Sequence, residues 1–435
     1  MTTITHETLL SYLQSGAESA FLTAIFDLLR ARDTDEPGIT REAFGAGEDA
    51  AFDLVEALAD ALGLVTTRDA IGNLSAVWGA DQPGPHVIIG SHLDSVPHGG
   101  NFDGAAGIVS GLMVLARLVR AGERPAQPVE LLVLRCEESA WFGRAYVGSL
   151  TLLGGLTAKD LTRRHLRSKT TLGDCLAARG VDIAKVKAGE RLRDPAGIAA
   201  YYEVHIEQGP VMTARGFPVA PVTGIRGNRR FLMNSITGEA GHSGAVPRWL
   251  RRDAVFAYAE LISALDAHWQ VLMERGIDLV VTSGIVGTDP ERHSITAIPG
   301  EIRFSLEFRS QSEATLDAFE GLVRAECEAI GTRRNVDFAL DDVLASAPAS
   351  LDAALTRGLT EAIAELGLTS EALPSGAGHD AAVFSNAGIP AAMLFVRNEN
   401  GSHNPAETMD LDDLAVAVDV LHKTVLARIG AKQPA

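Results

Sequence analysis

The sequence predicts an α/β fold: a mixed sheet in one domain, interrupted by an inserted α+β domain of ferredoxin-like order. Three observations carry this. Short continuous apolar runs of strand length alternate with helix-patterned segments through the first part of the chain, as in a sheet buried on both faces. Between about Val222 and Pro348 the pattern becomes strand, helix, strand, strand, helix, strand, the order of a split βαβ sandwich. A last apolar run, AAMLFV (391–396), restores the first pattern, so the chain returns to its first sheet. The expected domains are 1–221 with 346–435, and 222–345.

Taken in order, residues 19–32 and 47–63 carry apolar side chains at helical spacing. The second begins with acidic residues suited to a helix N-terminus. Four strand-length runs belong to the first sheet: VIIG (87–90), VELLVLRC (129–136), YYEVHI (201–206) and AAMLFV. The inserted part reads as strand 229–237, helix 251–273, strands 279–286 and 301–309, helix 313–330 and strand 336–340. No internal repeat or low-complexity linker interrupts these elements.

Composition narrows the function. The chain has 435 residues, 46% of them hydrophobic, and a net charge of −18 at pH 7. That excess of acid argues against a nucleic-acid binder, whose footprint is a basic face. Three cysteines without a CxxC pair build no disulfide framework and point to a reducing, cytoplasmic setting. The N-terminal stretch MTTITHETLLSYLQSG has no secretory pattern, and no apolar run reaches the roughly 18–20 residues that span a bilayer. Twelve histidines remain, and with so few thiols they and the carboxylates are the metal ligands to look for.

The residues that close the apolar runs carry the chemistry. VIIG leads into Ser91-His92-Leu93-Asp94, VELLVLRC into Glu137-Glu138, YYEVHI holds His205 and precedes Gln208, and the loop after AAMLFV holds His403. A Gly-rich loop presents Asp103 just before a helix. In open α/β sheets, ligands bind beyond the carboxyl ends of the strands. His92 and Asp94 share a face in extended backbone, so Asp94 can fix the His92 tautomer. Adjacent Glu137 and Glu138 point apart, which suits one ligand and one free base. Asp103 is the natural bridge between two cations.

These residues sit in motifs that resemble the peptidase-M20-type metal-dependent amidohydrolases. The likeness is most specific to the hydantoinase/carbamoylase branch of N-carbamoyl-L-amino-acid hydrolases, allantoate amidohydrolases and β-ureidopropionases. The matching stretches are Asp69-Ala-Ile-Gly-Asn73, GSHLDSVPHGGNFDGAAG (90–107), CEES (136–139), HIEQGP (205–210), GEAGHSGAVP (238–247), RRDA (251–254), AIPG (297–300), SGAGHDA (375–381) and GSHNPAE (401–407). The resemblance implies a site for two divalent ions (Zn, Mn, Co or Ni). His92, Asp103 and His205 would hold one, and Asp103, Glu138 and His403 the other. Glu137 would be the general base on a water between them, and His242 would stabilise the oxyanion, in cis or across a dimer. Arg309 would grip the carboxylate of a small-molecule substrate, helped by Gln208 and Thr296, with backbone donors from Gly376, Ala377 and Gly378. The inserted domain would serve as lid and homodimer interface, and neither nucleic acid nor membrane is expected as a partner.

Plainer readings exist for single residues. Arg309 at a strand end reads as surface charge, His242 in GHSG as a solvated turn, His98 as loop filler and His379 as a structural neighbour of the site. The chain also departs from the branch pattern at Ser139-Ala140-Trp141-Phe142, at Thr296 where relatives carry Asn, and at Glu307-Phe308-Arg309 in place of Asp-x-Arg. The expected activity is hydrolysis of the linear amide or ureido bond of an N-carbamoyl-L-amino acid. Allantoate or ureidoglycolate hydrolysis, N-acyl-amino-acid deacylation and a catalytically silent ligand-binding homologue are the alternatives.

Overall fold

The computed structural model describes residues 4–122 and 125–430. Residues 1–3 of the N-terminal stretch lie outside these; most of the rest forms the helix His6–Ser15, capped by Thr5. The chain divides into two compact units, Met1–Thr223 with Ser350–Ala435, and Gly224–Ala349.

The larger unit is built on a nine-stranded mixed sheet. Its middle strands, Val129–Leu134, His86–His92, Ile198–Ile206 and Ala391–Val396, lie side by side in that order and run parallel. Antiparallel strands flank them: Leu74–Trp78 and then Val65–Arg68 on one side, Val219–Ile225 on the other. The parallel runs are largely apolar because both faces are covered; every residue of Val129–Leu134 and Ala391–Val396 is buried. The helices Glu18–Asp33, Ala46–Ala61, Ala105–Ala121, Ala353–Glu365 and Leu411–Ile429 share one core with the sheet. A smaller cluster gathers around Trp141, Phe142, Leu161 and Leu172. Gly90 lets the Tyr201 ring lie against the neighbouring strand, where a Cβ would come within 2.5 Å of it. Among the described residues no helix is long and apolar enough to cross a membrane.

In the smaller unit the strands Val280–Thr282, Glu301–Ser310, Gly227–Thr237 and Asp337–Ala339 are neighbours in that order, all antiparallel. Here burial alternates strictly: Ile302, Phe304, Leu306 and Phe308 are buried while the residues between them are not. The buried face packs on the helices Ala254–Glu274 and Glu313–Arg334 through Leu261, Leu265, Phe319 and Val323.

Several elements differ from the expectation. The strand expected at 279–286 is broken into Val280–Thr282 and Val286–Gly287. Its partner shifts register between Phe304 and Leu306, and the Ser305 hydroxyl accepts the Ile285 N–H at the break. The helix expected from Arg251 starts at Ala254, because Asp253 caps it and accepts from the Val255 and Phe256 amides. The Arg251 guanidinium turns back instead to the Val246 and Ser243 carbonyls. The flanking strands at 65–68, 74–78 and 219–225 escape the sequence reading, being short or mixed in polarity.

Candidate metal centre

The four parallel strands point their carboxyl ends the same way, so their terminal residues meet. His92 ends one strand and His205 is the penultimate residue of another. Glu137 and Glu138 follow the third, His403 lies in the loop after the fourth, and Asp103 precedes the helix Ala105–Ala121. Gly104, at φ +65°, lets this turn pass the His92 ring; a Cβ there would lie 2.5 Å from it.

Hydrogen bonds fix which nitrogen each imidazole offers. His92 Nδ1 lies 3.0 Å from the Asp94 carbonyl, and His205 Nδ1 lies 3.0 Å from the Ile206 carbonyl. A carbonyl only accepts, so both Nδ1 atoms carry hydrogen and Nε2 is the atom each ring turns to the centre. Both Nε2 atoms face a carboxylate: Asp103 Oδ1 is 3.1 Å from His205 Nε2 and 3.6 Å from His92 Nε2. The other Asp103 oxygen is 3.3 Å from His403 Nε2, which is 3.2 Å from Glu138 Oε1. Two groups of three donors result, with atoms within 4.8 Å of one another and Asp103 in both.

The electrostatics call for positive charge. Burial opposes a charged His92, yet Glu137, Asp103 and Asp94 outweigh it and raise its pKa well above the ordinary imidazole value. At His205 burial is again outweighed, chiefly by Asp103. Asp103 is held well below the usual carboxylate range by His205, His403 and His92, against its burial. Burial pushes the Glu137 carboxyl well up; His92 opposes this and Glu138 adds to it. Imidazole Nε2 atoms converging with carboxylates at an acid-rich strand edge fit divalent cations, which would take the place of protons there.

Residues 88–427 match the sequence model of Peptidase family M20/M25/M40. The chain belongs to this family. It is 33% identical over 394 residues to an N-carbamoyl-L-amino acid amidohydrolase of Geobacillus stearothermophilus, covering 89% of this chain and 93% of that one. It is 31% identical over 369 residues to an allantoate amidohydrolase of Escherichia coli strain K12, covering 83% and 86%. A solved hydantoinase/carbamoylase family amidase from Burkholderia ambifaria superposes with a TM-score of 0.83 at 31% identity, covering 98% of this chain and 99% of that one. The protein is accordingly an amidohydrolase, a hydrolase of linear amide C–N bonds from a metal-dependent family.

Within this M20 centre the supporting residues are specific. Asp94 does more than face His92, whose Nδ1 is 3.3 Å from its Oδ1. Its two oxygens also accept the backbone N–H groups of Glu137 (3.0 Å) and Glu138 (3.1 Å). Glu407 accepts from the Phe102 and Asp103 amides, and Ser402 bridges Glu407 and Asp103 Oδ2. Gln208, expected on the substrate, donates its amide to Asp103 Oδ2 at 2.9 Å. His98 is exposed and bonded to Thr40 and the Asp35 carbonyl, away from the centre. His379 is buried, paired with Ser375 and edge-on to His205 with ring centroids 4.4 Å apart. It also completes a third cluster with Glu203 and His205. In that cluster one Glu203 oxygen accepts the Ala381 N–H and His379 meets Ser375, while the other Glu203 oxygen is buried without a hydrogen-bond partner.

Three expected substrate residues belong to the smaller unit. His242 pairs across a short ladder with Ala297, and Thr296 accepts the Ser243 N–H through its carbonyl, so these two come together. Arg309 lies on a different sheet, 2.9 Å from Glu307. Of the 376–378 turn, the Ala377 carbonyl accepts from Ser375, and Gly378 leaves room for the Tyr146 hydroxyl. The departure at Trp141 is structural: the indole is fully buried, donates to the Ser95 carbonyl and stacks on His165. The sequence pattern gave no role to Glu203, Glu407 or Ser402. Glu203 had a signal, since it sits two residues before His205 and shares its strand face.

Proposed function

We propose that this amidohydrolase cleaves the ureido C–N bond of an N-carbamoyl-L-amino acid, using two divalent cations from among Zn, Mn, Co and Ni. The observation that supports it best is Asp103, whose two oxygens each face a separate donor group while Glu137 is left outside both. Bound there, divalent cations lower the pKa of water toward neutrality and polarise the scissile carbonyl. Glu137 takes the proton from the attacking water at its carboxylate and delivers it to the leaving nitrogen as the C–N bond breaks. The products are the free amine and a carbamic acid, which falls to ammonia and carbon dioxide. His242 stabilises the negative oxygen of the tetrahedral intermediate, and Arg309 holds the substrate carboxylate through its guanidinium fork. Gln208, Thr296 and the 376–378 turn complete the substrate pocket. The smaller unit, with boundaries near 222 and 345, acts as a lid that excludes water and as the homodimer interface. Three free cysteines accord with a reducing, cytoplasmic compartment.

The test is chelation and reconstitution. Metal-free protein should be inactive, and Mn, Zn, Co or Ni should restore ammonia and amino-acid release from N-carbamoyl-L-amino acids. Full turnover in a verified metal-free sample overturns the metal assignment. Preference for allantoate or for N-acyl substrates in the same panel moves the substrate reading to those classes. Tight binding without turnover at full metal occupancy identifies a silent homologue. Glu137→Gln should keep its metals and lose at least about 1,000-fold in kcat, the upper part of the range for a general base; retained activity removes it from that role.

A further inference from the structure

The turn that presents Glu137 and Glu138 is not held by a strand ladder. Four consecutive backbone N–H groups, of residues 135 to 138, are each taken by a buried side-chain acceptor. Arg135 N–H goes to Asn73 Oδ1 (2.9 Å) and Cys136 N–H to Glu48 Oε1 (3.2 Å). Glu137 and Glu138 N–H go to the two oxygens of Asp94. Cys136, fully buried, is bent into the left-handed region at φ +53°, which a non-glycine residue adopts at a cost. That bend turns the chain out of the strand and aims the two glutamates at the centre.

Glu48 is the acceptor at the bend. It comes from the first turn of the helix Ala46–Ala61, is fully buried, and accepts three hydrogen bonds through its two oxygens. Oε1 takes Cys136 N–H, while Oε2 takes Phe44 N–H and the Arg135 guanidinium, both at 2.7 Å. Arg135 is itself fixed: its Nε donates to the Gly72 carbonyl and its guanidinium lies over the Phe52 ring at 4.1 Å. The left-handed turn is therefore clamped from behind by a carboxylate that touches neither glutamate side chain.

We propose that Glu48 is a positioning residue for the hydrolytic reaction: by holding the Cys136 amide in the left-handed turn it sets the aim of the Glu137 carboxylate. The inference rests on the reading of Glu137 as the general base. A carboxamide at position 48 has one oxygen for donors on both sides and places an NH2 group against another donor, so the turn must relax.

The experiment compares variants of the fully metal-loaded protein, with metal content, melting temperature, and kcat and KM across pH. Glu48→Gln should lower kcat by about 100-fold, the effect of a small displacement of a reacting group. KM should stay within about twofold and the acid limb of the kcat profile should move. In a Glu137→Gln background the same change should leave the residual rate unaltered, because the group it positions is gone. Asp49→Ala, which removes a half-exposed partner of Arg135 (2.6 Å) and of Arg179 (3.6 Å) but no acceptor of the turn's amides, should leave kcat unchanged. Wild-type kcat and pH profile in Glu48→Gln, with only a lower melting temperature, overturn the proposal. So does an equal loss in the Glu137→Gln background. If Glu48→Gln does not accumulate as folded protein, Asn73→Ala, which frees the preceding amide, decides: a kcat loss with unchanged KM supports the clamp and wild-type kcat refutes it. Full activity of Glu137→Gln alone marks failure of the base reading instead.

Discussion

The two units handle polarity in opposite ways. The larger one buries charge: Arg41, Glu48, Asp94, Asp103, Glu130, Arg135, Glu137, Glu138, Glu203 and Asp380 are all nearly inaccessible. The smaller one leaves apolar side chains in the open, including Trp249, Leu250, Phe256, Ile285, Val286 and Ile295, the last fully exposed. Strand patterns show the same split. The parallel strands Val129–Leu134 and Ala391–Val396 are buried throughout, whereas Glu301–Ser310 alternates residue by residue. The difference teaches where chemistry can be placed. A sheet covered on both faces forces any polar group at its strand ends to find partners, and those partners fix its geometry. A sheet covered on one face has side chains to spare for contact.

The comparison can be broken most severely at the buried charges. Asp103→Asn keeps the shape but removes the anion shared by both donor groups. We expect loss of metal and a fall in turnover beyond the roughly 10–100-fold typical of an outer partner; metal analysis and steady-state rates measure both. Near-normal metal content and rate would remove Asp103 from the centre.

A second break lies in the same sheet but away from the site. Glu130 is fully buried between the Arg193 guanidinium, His86 and Ser75. Burial works against its charge, but Arg193 and His86 hold its pKa at about 2, down from 4.5. A carboxyl whose pKa falls on folding stabilises fully above its unfolded value and loses that contribution as pH drops through the folded one. Glu130→Gln should therefore cost about 3 kcal/mol near neutral pH, and the deficit should shrink as pH falls from the ordinary carboxyl value of 4.5 towards 2. Urea melts across that range test it, and a deficit independent of pH refutes the charge as its source.

The smallest effect is expected where the smaller unit is most apolar. Among the described residues Val280–Thr282 and Val286–Gly287 pair only with Glu301–Ser310, so they form a sheet edge carrying exposed Ile285 and Val286. An open apolar edge invites pairing with another chain. Val286→Lys should change the unfolding free energy by no more than about 0.5 kcal/mol while weakening self-association in sedimentation. A large stability loss would show that the edge is buried within one chain.

Much of the centre was legible because its letters sit at predictable places. Strand-length apolar runs ending in His, Glu-Glu and a His-bearing loop mark one sheet edge, and a period of two places Asp94 with His92. Family motifs spread over the chain then imply a ligand set. What could not be read is who holds whom. Gln208 on Asp103, Asp94 on two amides and Glu48 on a third join residues 43 to 105 positions apart. Such pairings follow no local period, because any of several buried acceptors can satisfy a given donor. The sequence by itself determined the strand ends, the residue types that gather at the candidate centre and the family of the chemistry. Only the tertiary structure decided the aim of each group, because aim depends on which distant side chain reaches a buried amide, and burial leaves that amide no water as an alternative.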